Sequence, residues 1–251
     1  MNNPPIILEV CIESLEDAII AQQAGAHRVE LNAALMLGGL TPSLGTLIAI
    51  KKHTTIKTIV MIRPRAGGFH YSKYDFQVMQ EDIQRFDNHQ PDGYAFGCLK
   101  TDGSIDLKKS KQLISLMPNK EIVFHRAFDV TPDPFTALEQ LIDLGVHRVM
   151  TSGQQASAYN GAPLIKRLIQ QADGRIQILP AGKINRFTVN DVIARTHCNQ
   201  IHGSLRTTTP DPSTQANPTI SFGGTLSPDE QNYAITSHHA IASLLSDCQQ
   251  P

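Results

Sequence analysis

At 251 residues the chain is long enough for one large α/β domain or two small ones. Its 22 lysines and arginines balance 23 aspartates and glutamates with no basic block, which excludes the electrostatic footprint of a nucleic-acid or anionic-membrane binder. Four cysteines, Cys11, Cys98, Cys198 and Cys248, lack any Cys-x-x-Cys spacing and exclude a disulfide framework and a zinc ribbon.

The first apolar run, IILEV (6–10), has no cationic segment before it and is too short for a signal sequence or a membrane span. It predicts a strand in a soluble cytoplasmic protein, and it leads through Glu9 and Cys11 to Glu13. The helical spacing of SLEDAIIAQQAGA (14–26) follows, then the strand RVEL (28–31) with Glu30 and, beyond it, Asn32. TIVMIR (58–63) ends in Arg63-Pro-Arg65, and YDFQVMQEDIQRF (74–86) reads as a helix. DGYAF (92–96) precedes Cys98, and EIVFH (121–125) ends in His125 and Arg126 with Asp129 just past them. DPFTALEQLIDLG (133–145) is a helix opened by Asp and closed by Gly. Three further strands end in small residues: HRVMT (147–151) in Ser152-Gly153, IQILP (176–180) in Ala181-Gly182-Lys183, and QIHG (200–203) in Ser204. The segment 206–228, rich in Pro, Thr and Gly, predicts an extended loop, read as a lid, a dimer arm or a disordered connection, and 229–248 predicts a terminal helix with Ser227-Pro228-Asp229 as its start signal.

Strand and helix alternate without hairpin signals, so the strands pair in parallel through crossovers. AGAHRVEL at 24–31 recurs as LGVHRVMT at 144–151, an offset of 120 residues that fits four strand–helix units of about 30 residues. Two such halves make an α/β fold of one domain over 1–251, a (β/α)8 TIM barrel of eight parallel strands with a long C-terminal loop and a final helix. In such a barrel the carboxyl ends of the strands carry the site, and the polar residues collect there. Alternation turns Glu9, Glu30 and Arg63 inward, where unpaired charges are costly and opposite charges should pair, whether for packing or for chemistry. The catalytic set predicted on this basis is Glu9, Glu30, Arg63, His125 and Asp129, with the carboxylates and the imidazole as proton carriers. Arg65 and Arg126 are candidate anion holders, joined by Ser152, Gly153, Gly182, Lys183 and Ser204, whose small loops let backbone N–H groups approach a negative ligand. The substrate expected from that rim is a small anionic molecule, phosphorylated or carboxylated.

The blocks ELNAALMLGGLTPSLG (30–45), VMIRPRAGGFHYS (60–72), FGCLKTDGSID (96–106), FHRAFD (124–129) and RVMTSG (148–153) resemble the CutC family, named for copper homeostasis. The resemblance implies a cytoplasmic TIM barrel that forms a homodimer, has a role in copper handling, and has Glu9, Glu30, Arg63, Arg65, His125, Arg126 and Asp129 at its mouth. Cys11 matches a cysteine often found after the first strand, whereas Asn32 stands where the family commonly has a second thiol, and the loop after strand seven is poorer in glycine than usual. Cu(I) prefers soft donors set close together, which makes Cys11 and Cys98 the candidate metal ligands, with His125 or Met36 to complete the set. Strands one and four lie apart around a barrel, and no Met-x-x-Met is present. Copper homeostasis with copper binding is the assignment that the resemblance implies, while the chemistry of the charged rim by itself favours the alternative, an acid–base enzyme, and a purely structural barrel is the third reading.

Overall fold

Alternate residues of eight short strands are buried on opposite sides of one sheet. Leu8, Val10 and Ile12 of β1 (Ile7–Ile12), Val29 and Leu31 of β2 (Arg28–Leu31), Val60 of β3 (Lys57–Met61), and Tyr94 and Phe96 of β4 (Gly93–Phe96) join one large apolar cluster with residues of the surrounding helices. So do Ile122 and Phe124 of β5 (Glu121–Phe124), Val149 of β6 (Arg148–Thr151), Ile178 of β7 (Gln177–Pro180) and Ile201 of β8 (Gln200–Gly203). Burying both faces is what an all-parallel sheet requires. The computed structural model describes residues 6–217, 219–223 and 230–248.

The strands pair in parallel in the order β7-β6-β5-β4-β3-β2-β1-β8. β7 and β8 then come together to close the ring, and Gln200 Nε2 donates to Gln177 Oε1 at 3.2 Å across that seam. The helices are α1 (Leu15–Gln23), α2 (Leu44–His53), α3 (Lys73–Asp87), α4 (Leu107–Ile114), α5 (Pro134–Asp143), α6 (Ala158–Ala172), α7 (Val189–Thr196) and α8 (His238–Cys248). Local chemistry sets their starts: Ser14 with Asp17 and Ser72 with Asp75 form reciprocal capping boxes, and Asp133 caps a helix that opens on Pro134. The fold is the (β/α)8 barrel expected from the repeat. Among the described residues no helix is long and apolar enough to cross a membrane.

The barrel interior is divided. Ile59, Met61, Ala95 and Val123 fill one sector and Met150, Leu179 and Ala181 another, while Glu9, Arg28, Glu30, Arg148 and His202 occupy the rest. Gly93 is glycine because a Cβ there would stand 2.3 Å from the Glu121 carbonyl oxygen.

The C-terminal segment departs from expectation. Arg206–Pro210 is a strand, β9, paired antiparallel with β10 (Asn232–Thr236), so the predicted loop begins as half of a hairpin. The predicted helix over 229–248 begins only at His238. β10 has Ile235 and Thr236 buried at its base, and the Thr-rich β9 supplies β-branched partners. The start signal at 227–229 and part of the predicted loop lie outside the described residues.

Candidate functional site

The inward-facing charges build a floor and then a mouth. Glu9 on β1 is fully surrounded: its carboxylate meets Arg28 Nε and Arg148 Nη1, the latter at 3.6 Å, and its other oxygen lies 2.8 Å from His202 Nδ1. Burial alone would raise the Glu9 pKa, but Arg28, His202 and Arg148 overcome it and hold the group far below the ordinary carboxylate range. Arg148, which also binds Glu121 and Gln177, has its pKa lowered by burial to about 10 and stays charged at neutral pH. Glu9 is thus a locked anion below the mouth, and it does not line the cavity above.

That cavity, of about 640 Å³, opens at the carboxyl ends of the strands. Of the predicted residues, Cys11, Glu30, Arg63, His125, Arg126 and Ser204 line it. Glu30 on β2 accepts a hydrogen bond from Asn32 Nδ2 at 2.9 Å on Oε2, which also lies 4.0 Å from His202 Nε2, while its buried Oε1 has no hydrogen-bond partner. Burial raises the Glu30 pKa, with the Glu9 charge adding to it against the opposing pull of His202 and Asn32. For His202 burial disfavours the imidazolium, but contacts with Cys11 and Glu9 and the charge of Glu30 outweigh it and hold its pKa well above the usual value. His202 was missed as a site residue, although its place on the inward face, two residues beyond Gln200, was open to the same alternation argument as Glu9.

His125 follows β5 directly and lines the same mouth as Glu30. The Ala127 N–H donates to His125 Nδ1 at 3.1 Å, so the neutral ring carries its proton on Nε2, which is buried and has no partner. Burial, reinforced by Arg63, depresses its pKa to about 3, and the imidazole is neutral under physiological conditions. Gly97 makes room for the ring: a Cβ there would lie 2.6 Å from His125 Cε1.

The expected anion site is already filled from within. Asp129 lies in the turn after His125 rather than in the cavity lining, and its carboxylate accepts from the Thr151 hydroxyl at 2.5 Å, from the Ser152 N–H at 3.0 Å and from the Gln154 N–H at 3.3 Å. Arg126 Nε completes the cage at 2.8 Å. Asp129 thus anchors the loop after β6 through Thr151, Ser152 and Gln154, while the Gly153 N–H donates to the Thr151 hydroxyl. Gly182 borders Ser152 and Arg126, and Lys183 is exposed, outside the cavity. Arg65 binds Asp75 and the carbonyls of Ala66, Gly68 and His70, so it ties its own loop to α3. Arg63 does the same at the cavity wall, donating to Leu37, Gly39 and Gly67 carbonyls at 3.1, 2.9 and 2.8 Å. Sequence cannot separate an arginine that awaits a ligand from one that already holds a carbonyl.

The two thiols proposed as metal ligands are not brought together. Cys11 faces the cavity, whereas Cys98 is packed in the apolar layer between sheet and helices, where burial pushes its pKa up to about 12. Among the described residues no group of three or more His, Cys, Asp and Glu side chains is disposed to hold a metal. Three thioethers, Met36, Met61 and Met150, border the cavity with Cys11.

A sequence profile described as the CutC family matches residues 6–207. A family protein CutC of Treponema denticola is 48% identical over 230 residues, covering 92% of this chain and 94% of that protein. The human copper homeostasis protein cutC homolog is 40% identical over 238 residues, covering 95% of this chain and 87% of the relative. The crystal structure of a copper homeostasis protein CutC from Streptococcus agalactiae superposes with a TM-score of 0.76 at 32% identity, covering 79% of this chain and 98% of that one. With a matched span that takes in all eight barrel strands, and with relatives of this similarity over nearly the whole chain, the protein belongs to the CutC family.

Proposed function

We propose that this protein is an enzyme that moves a proton on a small carbonyl compound held across the barrel mouth. One observation carries the reading: Glu30 Oε1 and His125 Nε2 are buried without partners, and both residues line the same cavity, Glu30 from β2 and His125 from the end of β5, with β3 and β4 between them. An unpaired buried acceptor and an unpaired buried donor are each costly unless a ligand completes them. Glu30, with its raised pKa, suits a general base for a carbon acid. The neutral His125 donates Nε2–H to the carbonyl oxygen, where negative charge develops as the proton leaves. Arg63, in contact with the Phe69 ring and beside His125, adds a fixed positive field. Four cysteines in the free state support a reducing, cytoplasmic setting. The test is wash-in of deuterium from D2O at the carbon beside the carbonyl, followed by NMR. Glu30→Gln should abolish exchange, at a loss of at least about a hundredfold. Unchanged exchange in that variant would remove Glu30 from the chemistry.

A second reading takes copper as cargo, in keeping with the names of the relatives. It is favoured by Cys11 with Met36, Met61 and Met150 around one cavity, since thiolate and thioether are the donors Cu(I) prefers. An anaerobic Cu(I) competition titration against a calibrated chelator decides it. Stoichiometric binding that is lost in Cys11→Ser supports cargo binding, and retention of all copper by the chelator removes it.

A further inference from the structure

The side chains around the cavity say what kind of molecule the mouth accepts, and here they depart from the small anion expected of a charged rim. The arginines of the cavity spend most of their donors on the protein itself, although the Nε groups of Arg63 and Arg206 are buried without a partner. Both terminal nitrogens of Arg63 hold loop carbonyls, and those of Arg206 hold Glu13 and the Ala234 carbonyl. Arg126 is bound to Asp129 and Ser152. The backbone N–H groups of the loop after β6, where a barrel could cradle an anion, are occupied by Asp129. The carboxylates of Glu13 and Glu30 also stand in the cavity wall, Glu13 paired with Arg206, so the charges of the wall are largely matched among themselves.

Apolar side chains share the wall with these polar groups. Met61 and Met150 rise from the barrel interior, Phe69 lies 5.0 Å ring to ring from His125, and Leu35 and Tyr233 border the opening. Tyr233 comes from β10, whose pairing with β9 sets it over the mouth, and the Arg206 contact with the Ala234 carbonyl holds that pairing beside it. An apolar surface of this extent inside a small-molecule cavity is recognised by an apolar group.

We infer that the substrate is an uncharged hydroxycarbonyl compound with an apolar tail, its polar head between Glu30 and His125 and its tail against Met61, Met150, Phe69 and Tyr233. This deepens the proton-transfer reading and rests on it for the placement of the head. Tyr233 is then a specificity-determining residue contributed by the hairpin.

The experiment compares three probes on the full chain by calorimetry: hydroxyacetone, phenylacetylcarbinol as a hydroxyketone bearing a phenyl ring, and dihydroxyacetone phosphate. Phenylacetylcarbinol should bind at least roughly tenfold more tightly than hydroxyacetone, the worth of burying part of a ring. Tyr233→Ala, at a half-exposed position, should reduce that preference severalfold, with phenylacetylcarbinol weakened more than hydroxyacetone. Tightest binding by the phosphate ester, equal binding of the two ketones, or no binding of phenylacetylcarbinol at millimolar concentration would overturn the inference. Deuterium exchange read in the same samples separates the two ideas. Preferential binding of the phenyl ketone without exchange keeps the substrate class and sinks the proton transfer, and exchange confined to the phosphate ester does the reverse.

Discussion

At the scale of single residues, environment decides role more than identity does. Glu9 and Glu30 are both inward-facing glutamates of the barrel, yet one is saturated by two arginines and a histidine and the other keeps an unpaired oxygen. His125 makes the point in a measurable way. Its folded pKa, depressed by burial and by Arg63 to about 3, lies below the ordinary value of 6.5, so the unfolded chain binds the proton first. The stability it contributes is fully present above pH 6.5 and is lost as pH falls towards 3, at up to about 1.4 kcal/mol per pH unit. Glu30 and His202, both with raised pKa values, act in the opposite sense, which is why the comparison is made as a difference. Urea midpoints of the wild type and His125→Asn, taken from pH 7 down to 4.5, should converge as the pH falls. A constant offset over that range would show that the ring is not buried neutral. The sequence placed both residues on the correct face through alternation, but it could not show that Glu9 was fully paired or that Arg65 held its own loop, because those contacts depend on loop paths.

Among the elements, the strands were the most legible. Each run is β-branched or aromatic and bounded by a helix signal, and eight of them with a repeat leave little topological freedom. The hairpin of β9 and β10 was not legible, because its strands are about twenty residues apart and neither has an apolar face to give a period. What fixes it is Asp17, already used in the cap of α1. One carboxylate oxygen accepts from Glu13 and Ser14 N–H groups, and the other accepts from the Thr236 N–H at 2.6 Å. Asp17→Ala should therefore cost about 2–3 kcal/mol, the sum of a lost cap and a buried N–H left without its partner. Hydrogen exchange should accelerate at Thr236 and along β10 while the amides of β4 stay protected. Equal acceleration in both would mean global loosening and no dedicated anchor.

Over the whole molecule, the barrel has two unlike halves. Methionines and small apolar residues pack one side of the interior, and the charges of β1, β2 and β8, with Arg148 reaching in from β6, fill the other. The division runs upward into the cavity, so the polarity of the mouth is inherited from the floor. Length and repeat were enough to foresee the barrel, since eight strand–helix units account for most of the chain. The division was only half legible, because alternation shows which residues face inward and not which of them meet. Asp129 gives the rim a property of a different kind. By carrying its own counter-anion on a tether, the loop after β6 is ordered before any ligand arrives, and its backbone N–H groups stay closed to phosphates that share the surroundings. Loss of that single carboxylate would empty a cage of hydroxyl, amide and guanidinium donors already in position.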